Sequence, residues 1–258
     1  MEWQSYEWEF AGEVLAKAVA AAQSEIPVLL IGETGTGHEA VARYIHSHSR
    51  RVEEPFESVN CASLPDAVLA RRLMGWEKGF DRDAREPFKG LIGLGGVLFL
   101  YPIEPIGARS ESVLRRLLQT GEYQPLGAAQ PLKADVRLVA ATNTEPETAV
   151  ARGEISLELY VILRGLEVRL PPLRDRRGEI LGLAERYLER LGDAWGLIGV
   201  GLAPSAREAI LAHAWPGNLR ELHNELGCAV AKSNGREITA DDLSSSLTRP
   251  SARPRSEM

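Results

Sequence analysis

The chain has 258 residues, of which 44% are hydrophobic, with a net charge of −6 and two cysteines. That length and apolar content predict a folded protein of one large domain or two unequal ones. The charge excludes a global attraction to polyanions, so direct nucleic-acid binding by this chain is not expected, and no apolar run approaches the roughly 20 residues of a membrane span.

Reading from the N-terminus, MEWQSYEWEF lacks the basic-then-apolar layout of a signal peptide, and the cytoplasm is the expected compartment. AGEVLAKAVAAAQ carries apolar residues at helical spacing, and Val28 to Ile31 reads as a buried strand. GETGTG follows, and HEAVARYIHSHS is amphipathic. Phe56 to Asn60, Val97 to Leu100, Val136 to Ala141 and Gly165 to Leu170 read as further strands, with LPDAVLARRLM and ARSESVLRRLLQTGE as helices among them. This alternation predicts an α/β fold, a five-stranded parallel sheet with helices on both faces.

After Pro171-Pro172 the strand signals stop. RGEILGLAERYLERLG, PSAREAILAHA, NLRELHNELGCAVAK and TADDLSSSL read as helices, so residues 1–172 are expected to form the α/β domain and 173–247 a small all-helical one. The polar, proline-rich composition of residues 248–258 predicts a disordered tail. Cys61 and Cys228 have no metal-ligand spacing, and neither do His46, His48, His213 and His223, so no metal site is expected.

The stretch Gly32, Glu33, Thr34, Gly35, Thr36, Gly37, His38, Glu39 stands between a strand and a helix, the context a phosphate-binding loop requires. Glycines there let backbone N–H groups converge on phosphate oxygens at a helix N-terminus, while a lysine normally reaches the terminal phosphates. Here His38 occupies the place where the lysine is expected.

GETGTGHE, PFESVNCASLPDAVL, LMGWEKG, GGVLFL, LLQTGEYQPLG, DVRLVAATN, VRLPPLRDRRGEI and WPGNLREL occur in an order and at spacings that resemble the central AAA+ domain of bacterial enhancer-binding proteins, the activators of sigma-54 RNA polymerase. The resemblance covers nearly the whole chain. It implies a Rossmann-like AAA+ P-loop domain with a helical lid, nucleotide at their junction, and a ring in which subunits exchange arginines.

Carried over residue by residue, the resemblance also marks departures. The family's loop lysine falls on His38, whose imidazole is shorter and mostly neutral at pH 7. The Walker B aspartate and glutamate fall on Tyr101 and Pro102, neither of which is an ionised oxygen ligand. The two arginine fingers fall on Ser156 and Ile162, while Arg152 and Arg164 lie nearby without aligning. The sigma-54 contact loop, GAFTGA in the family, falls on Gly79, Phe80, Asp81, Arg82, Asp83 and Ala84, which argues against direct engagement of sigma-54. Thr142 and Asn143 keep the sensor-one position, with Thr144 where an arginine often follows. Arg220 keeps the sensor-two position, where it either touches a phosphate or pairs with an acid such as Glu221.

These readings lead to a pseudo-ATPase of the enhancer-binding type, with no catalytic residue, acting in transcriptional control through contacts with itself or a related AAA+ activator. Two alternatives stand beside it. One is a module that senses ATP, ADP or a cyclic dinucleotide without cutting it and without a working magnesium site; the other is an ATP-hydrolysing activator with unconventional groups. Asp241 to Met258, after the lid, are too few for a helix-turn-helix, so the expectation is either a domain of a longer regulator or a protein that binds no operator itself.

Overall fold

The computed structural model describes residues 12–80, 82 and 84–248; the expectations placed on Asp81, Asp83 and the tail from 249 onward lie outside the described residues. The chain divides into two compact units, residues 1–33 with 37–170, and Thr34–Thr36 with Pro171–Met258.

The first unit contains α1 (Glu13–Ala22), β1 (Val28–Ile31), α2 (His38–Ser47), β2 (Phe56–Asn60), α3 (Asp66–Met74), the short α4 (Gly90–Gly93), β3 (Gly96–Tyr101) and α5 (Ala108–Thr120). It continues through β4 (Glu122–Tyr123), β5 (Leu132–Lys133), β6 (Val136–Thr142), α6 (Pro146–Ala151), α7 (Leu157–Leu163) and β7 (Leu166–Arg169). The five main strands form one parallel sheet in the order β2-β3-β6-β1-β7. The expected five-stranded sheet is therefore present, with β3 running on to Tyr101 and β6 to Thr142.

All four residues of β1 are buried, as a strand covered on both faces requires. Its side chains alternate between two cores. Leu29 and Ile31 pack with Leu98, Leu100 and Leu138 beside residues of α3, α5 and α7, whereas Val28 and Leu30 pack with Val97, Phe99 and Val139 beside α1 and α2. The register sets Ile31 opposite Thr142 and Leu100 opposite Ala140, so the ends of β1, β3 and β6 arrive at the same edge of the sheet. That carboxyl edge is where open α/β sheets place their functional loops.

Away from that edge, Arg51 ties three segments together through Glu25 at 2.7 Å, Glu54 at 2.9 Å and Asp135 at 2.6 Å. Arg137 on β6 is 2% exposed and donates through Nη2 to the carbonyl of Ala21 at 2.6 Å, a cation held at the C-terminus of α1.

The second unit contains α8 (Ile180–Trp195), α9 (Pro204–Ala212), α10 (Asn218–Ser233) and α11 (Ser245–Thr248), preceded by a 3₁₀ segment over Leu173–Glu179. Trp215, fully buried, donates its indole N–H to Ile210 O at 2.9 Å. It and Asn218 take positive φ, 52° and 53°, across the WPGN turn. Asn218 Oδ1 accepts from Leu173 N at 2.7 Å and Nδ2 donates to Thr34 O at 3.0 Å. Gly35, at φ 85°, sits so near this turn that a Cβ on it would fall 2.2 Å from Gly217 O.

Candidate functional site

The loop after β1 begins with Gly32, whose N–H donates to Thr142 O at 3.2 Å. Gly37 then adopts φ 105° and ψ 25°, a left-handed conformation that glycine takes without a Cβ clash, and α2 starts at His38. Gly37, as the N-cap, has no side chain with which to cap α2. Glu39 in the first turn is engaged by Arg43, with Nη2 at 2.8 Å. A glycine turn between a buried strand and a helix N-terminus is thus present.

The side chains tell a different story. His38 is 4% exposed, and its ring stacks on Tyr101 with centroids 4.9 Å apart and planes at 28°. Tyr101, the last residue of β3, also lies parallel to Phe99 at 6.2 Å, and its hydroxyl donates to Asn143 Oδ1 at 2.6 Å. His38, Tyr101 and Asn143, read separately as loop, Walker B and sensor positions, form one contiguous cluster. Pro102 follows Tyr101 through a cis peptide bond and carries no donor or acceptor on its side chain. A hard dication takes carboxylate oxygens and water, so a phenol already bonded to an amide oxygen is a poor ligand for it.

One residue of this cluster was missed. Glu104, three positions after Tyr101, accepts through Oε1 from Thr142 Oγ1 at 2.6 Å, Asn143 N at 2.7 Å and Thr144 N at 3.2 Å. Its Oε2 is enclosed and has no hydrogen-bond partner among the described residues. The available signal was a lone acid in the otherwise apolar run YPIEPI. Burial, followed by the nearby Glu104 carboxylate, pushes the Cys61 thiol up to about 12, which leaves it an inert buried group.

The two finger positions are occupied by structural side chains. Ser156 is the N-cap of α7, its Oγ accepting from Leu159 N at 3.1 Å, and Ile162 is half-buried on that helix. Arg164 is paired with Glu167 at 3.5 Å and lies over the Tyr160 ring, and Arg152 faces Glu154 at 3.9 Å. Each displaced arginine therefore has a local carboxylate.

In the second unit Arg220 is exposed on α10, its Cβ 3.2 Å from where a side-chain carbon on Gly35 would stand. The pairing with Glu221 is not observed. Glu221 instead accepts from His213 Nε2 at 2.8 Å through Oε1 and from Gly217 N at 2.7 Å through Oε2. In the contact-loop segment, Gly79 N donates to Ala84 O at 2.7 Å and Phe80 is 44% exposed, while Trp76 pairs in antiparallel fashion with Phe88 at the loop's base.

Comparison with known families matches residues 7–169 to the sigma-54 interaction domain and residues 174–257 to the AAA+ ATPase lid domain. The chain is 41% identical over 233 residues to a Nif-specific regulatory protein of Rhodobacter capsulatus, covering 90% of this chain and 40% of that protein. It is 38% identical over 244 residues to the response regulator protein FleR of Pseudomonas aeruginosa, covering 94% and 51%. It thus spans about half or less of the length of these relatives. Among solved structures, NtrX from Brucella abortus in complex with ADP superposes with a TM-score of 0.84 at 26% identity, covering 98% of this chain and 59% of that one. The family match runs through Gly79 to Ala84, so the expectation that the altered loop argues against sigma-54 engagement finds no support.

Proposed function

The chain belongs to the sigma-54 interaction domain family, with a AAA+ lid following, and from that premise we propose that it is a member that does not hydrolyse ATP and acts in transcriptional regulation through protein contacts. The observation that carries this reading is Tyr101, whose hydroxyl reaches Asn143 at 2.6 Å and whose ring covers His38. Phosphoryl transfer needs a cation on the terminal phosphates, a carboxylate-supported metal and a group that orients the attacking water. His38, Tyr101 and Pro102 supply none of these, and the residues present do not fit magnesium. Ser156 and Ile162 add no guanidinium, and a trans arginine is worth about 10³ to 10⁵ in rate where it exists.

ATP or ADP, if held by the glycine loop, would be held by its backbone amides without metal chemistry. The partner we propose is a second copy of this chain or a related, competent AAA+ activator subunit, in the cytoplasm, with no nucleic acid bound by this chain itself. Sedimentation of the chain mixed with an active family member tests the protein-contact part. A mixed species of higher mass, altering the active member's ATP turnover, supports the reading; separate boundaries together with a monomeric chain at high concentration count against it.

A further inference from the structure

We propose that Tyr101 and Glu104 are positioning residues that hold the end of β6 in one fixed arrangement when no nucleotide is present. A strand that ends at the edge of a sheet leaves backbone N–H groups that need partners from a turn, a ligand or water. At the end of β6 those partners are side chains of this chain. Glu104 Oε1 gathers Thr142 Oγ1, Asn143 N and Thr144 N at 2.6, 2.7 and 3.2 Å, and the Asn143 side-chain oxygen is taken by the Tyr101 hydroxyl at 2.6 Å.

Two features make this arrangement rigid rather than incidental. The Tyr101 ring stacks on His38 and lies parallel to Phe99, with centroids at 4.9 and 6.2 Å, contacts that restrain its hydroxyl where it meets Asn143. Bonds from backbone N–H to an ionised carboxylate are about twice as strong as neutral ones. Glu104 keeps Oε2 enclosed without a partner among the described residues, a cost that turning towards water would relieve and that the three donors on Oε1 offset. Pro146 opens α6 two residues beyond Thr144, so fixing Thr142 to Thr144 also fixes the start of that helix.

The consequence is a sheet edge whose conformation is indifferent to nucleotide. The surfaces downstream of β6 are presented continuously rather than in step with ATP binding. Because the inference concerns the conformation of this edge and not phosphate release, it stands or falls separately from the absence of turnover.

Amide hydrogen exchange on the whole chain without nucleotide tests it. In Tyr101→Phe, exchange at Asn143 and Thr144 is expected to quicken about threefold to tenfold, the effect of one lost hydrogen bond. In Glu104→Ala the increase should be about tenfold or more, with Glu104→Gln, which keeps an acceptor oxygen, in between. Amides of Leu30 and Ala140 in the central strands report on the fold, and if Glu104→Ala disturbs them, Tyr101→Phe decides alone. Magnesium-ATP should leave the wild-type rates at Asn143 and Thr144 unchanged. Unaltered rates in Tyr101→Phe, or strong slowing of wild-type exchange by magnesium-ATP, would overturn the proposal.

Discussion

The Tyr101 hydroxyl donates to Asn143 Oδ1 at 2.6 Å, joining the end of β3 to the residue just beyond β6. In a metal-dependent phosphotransferase the same two positions would need to face a ligand. Here they face each other, and the ring that brings the hydroxyl into place also stacks on His38. The loop after β1, the β3 end and the β6 end are thereby connected through side chains.

Replacing His38 with lysine should not create an ATPase. The residue is 4% exposed beneath Tyr101, so an ammonium there is desolvated without gaining either missing carboxylate. Phosphate release by His38→Lys is expected to stay at background while stability falls by roughly 1–3 kcal/mol. Turnover that appears with this single change would mean that other groups already complete the site.

Ser156 should behave as a helix cap. Its Oγ accepts from Leu159 N at 3.1 Å, and loss of such a cap costs about 1 kcal/mol. Urea denaturation of Ser156→Ala should show that loss, whereas Ser156→Gly should recover most of it. Equal stability in all three proteins would remove the capping role.

Asn218 carries two bonds and a left-handed backbone in the WPGN turn. Asn218→Ala leaves Leu173 N and Thr34 O without their partners and strains φ, for a combined loss of roughly 2–4 kcal/mol in denaturant unfolding. Asn218→Gly relieves the strain only and should fall between. A neutral Asn218→Ala would show that neither bond matters to the unit.

Much of this architecture was legible in the sequence, and the reasons are local. VLLI and GVLFLY are apolar without interruption because parallel strands are covered on both faces, and Gly35 and Gly37 of GETGTG sit where positive φ is needed. Less visible was α7, since LELYVIL is rich in residues that also suit strands and only the Ser156 cap marks its start. The two-residue strands β4 and β5 are too short for periodicity to register. Glu104 escaped notice because its role depends on the register between β3 and β6, which no local pattern encodes. Arg220 was read with Glu221 as an available partner, yet that carboxylate is captured by His213 and the Gly217 amide across the WPGN turn.

His223 gives the second unit a pH dependence. Burial, and then the positive charge of Arg190, lower its pKa from 6.5 to about 4, and its ring stacks on Tyr187 at 4.0 Å. The unfolded chain therefore binds a proton more readily than the folded one. Stability from this residue is complete above pH 6.5 and declines as pH falls towards 4, by roughly 3 kcal/mol in all. Thermal unfolding between pH 7 and 4 should be less pH-dependent in His223→Gln, and an unchanged profile would assign the dependence to other groups.

The most direct test of the account is phosphate release under single-turnover conditions, with purified chain in excess over magnesium-ATP and followed for hours. Release no faster than in buffer, in the wild type and in Gly35→Ala alike, is the predicted result. Protein-dependent release that Gly35→Ala abolishes would contradict it.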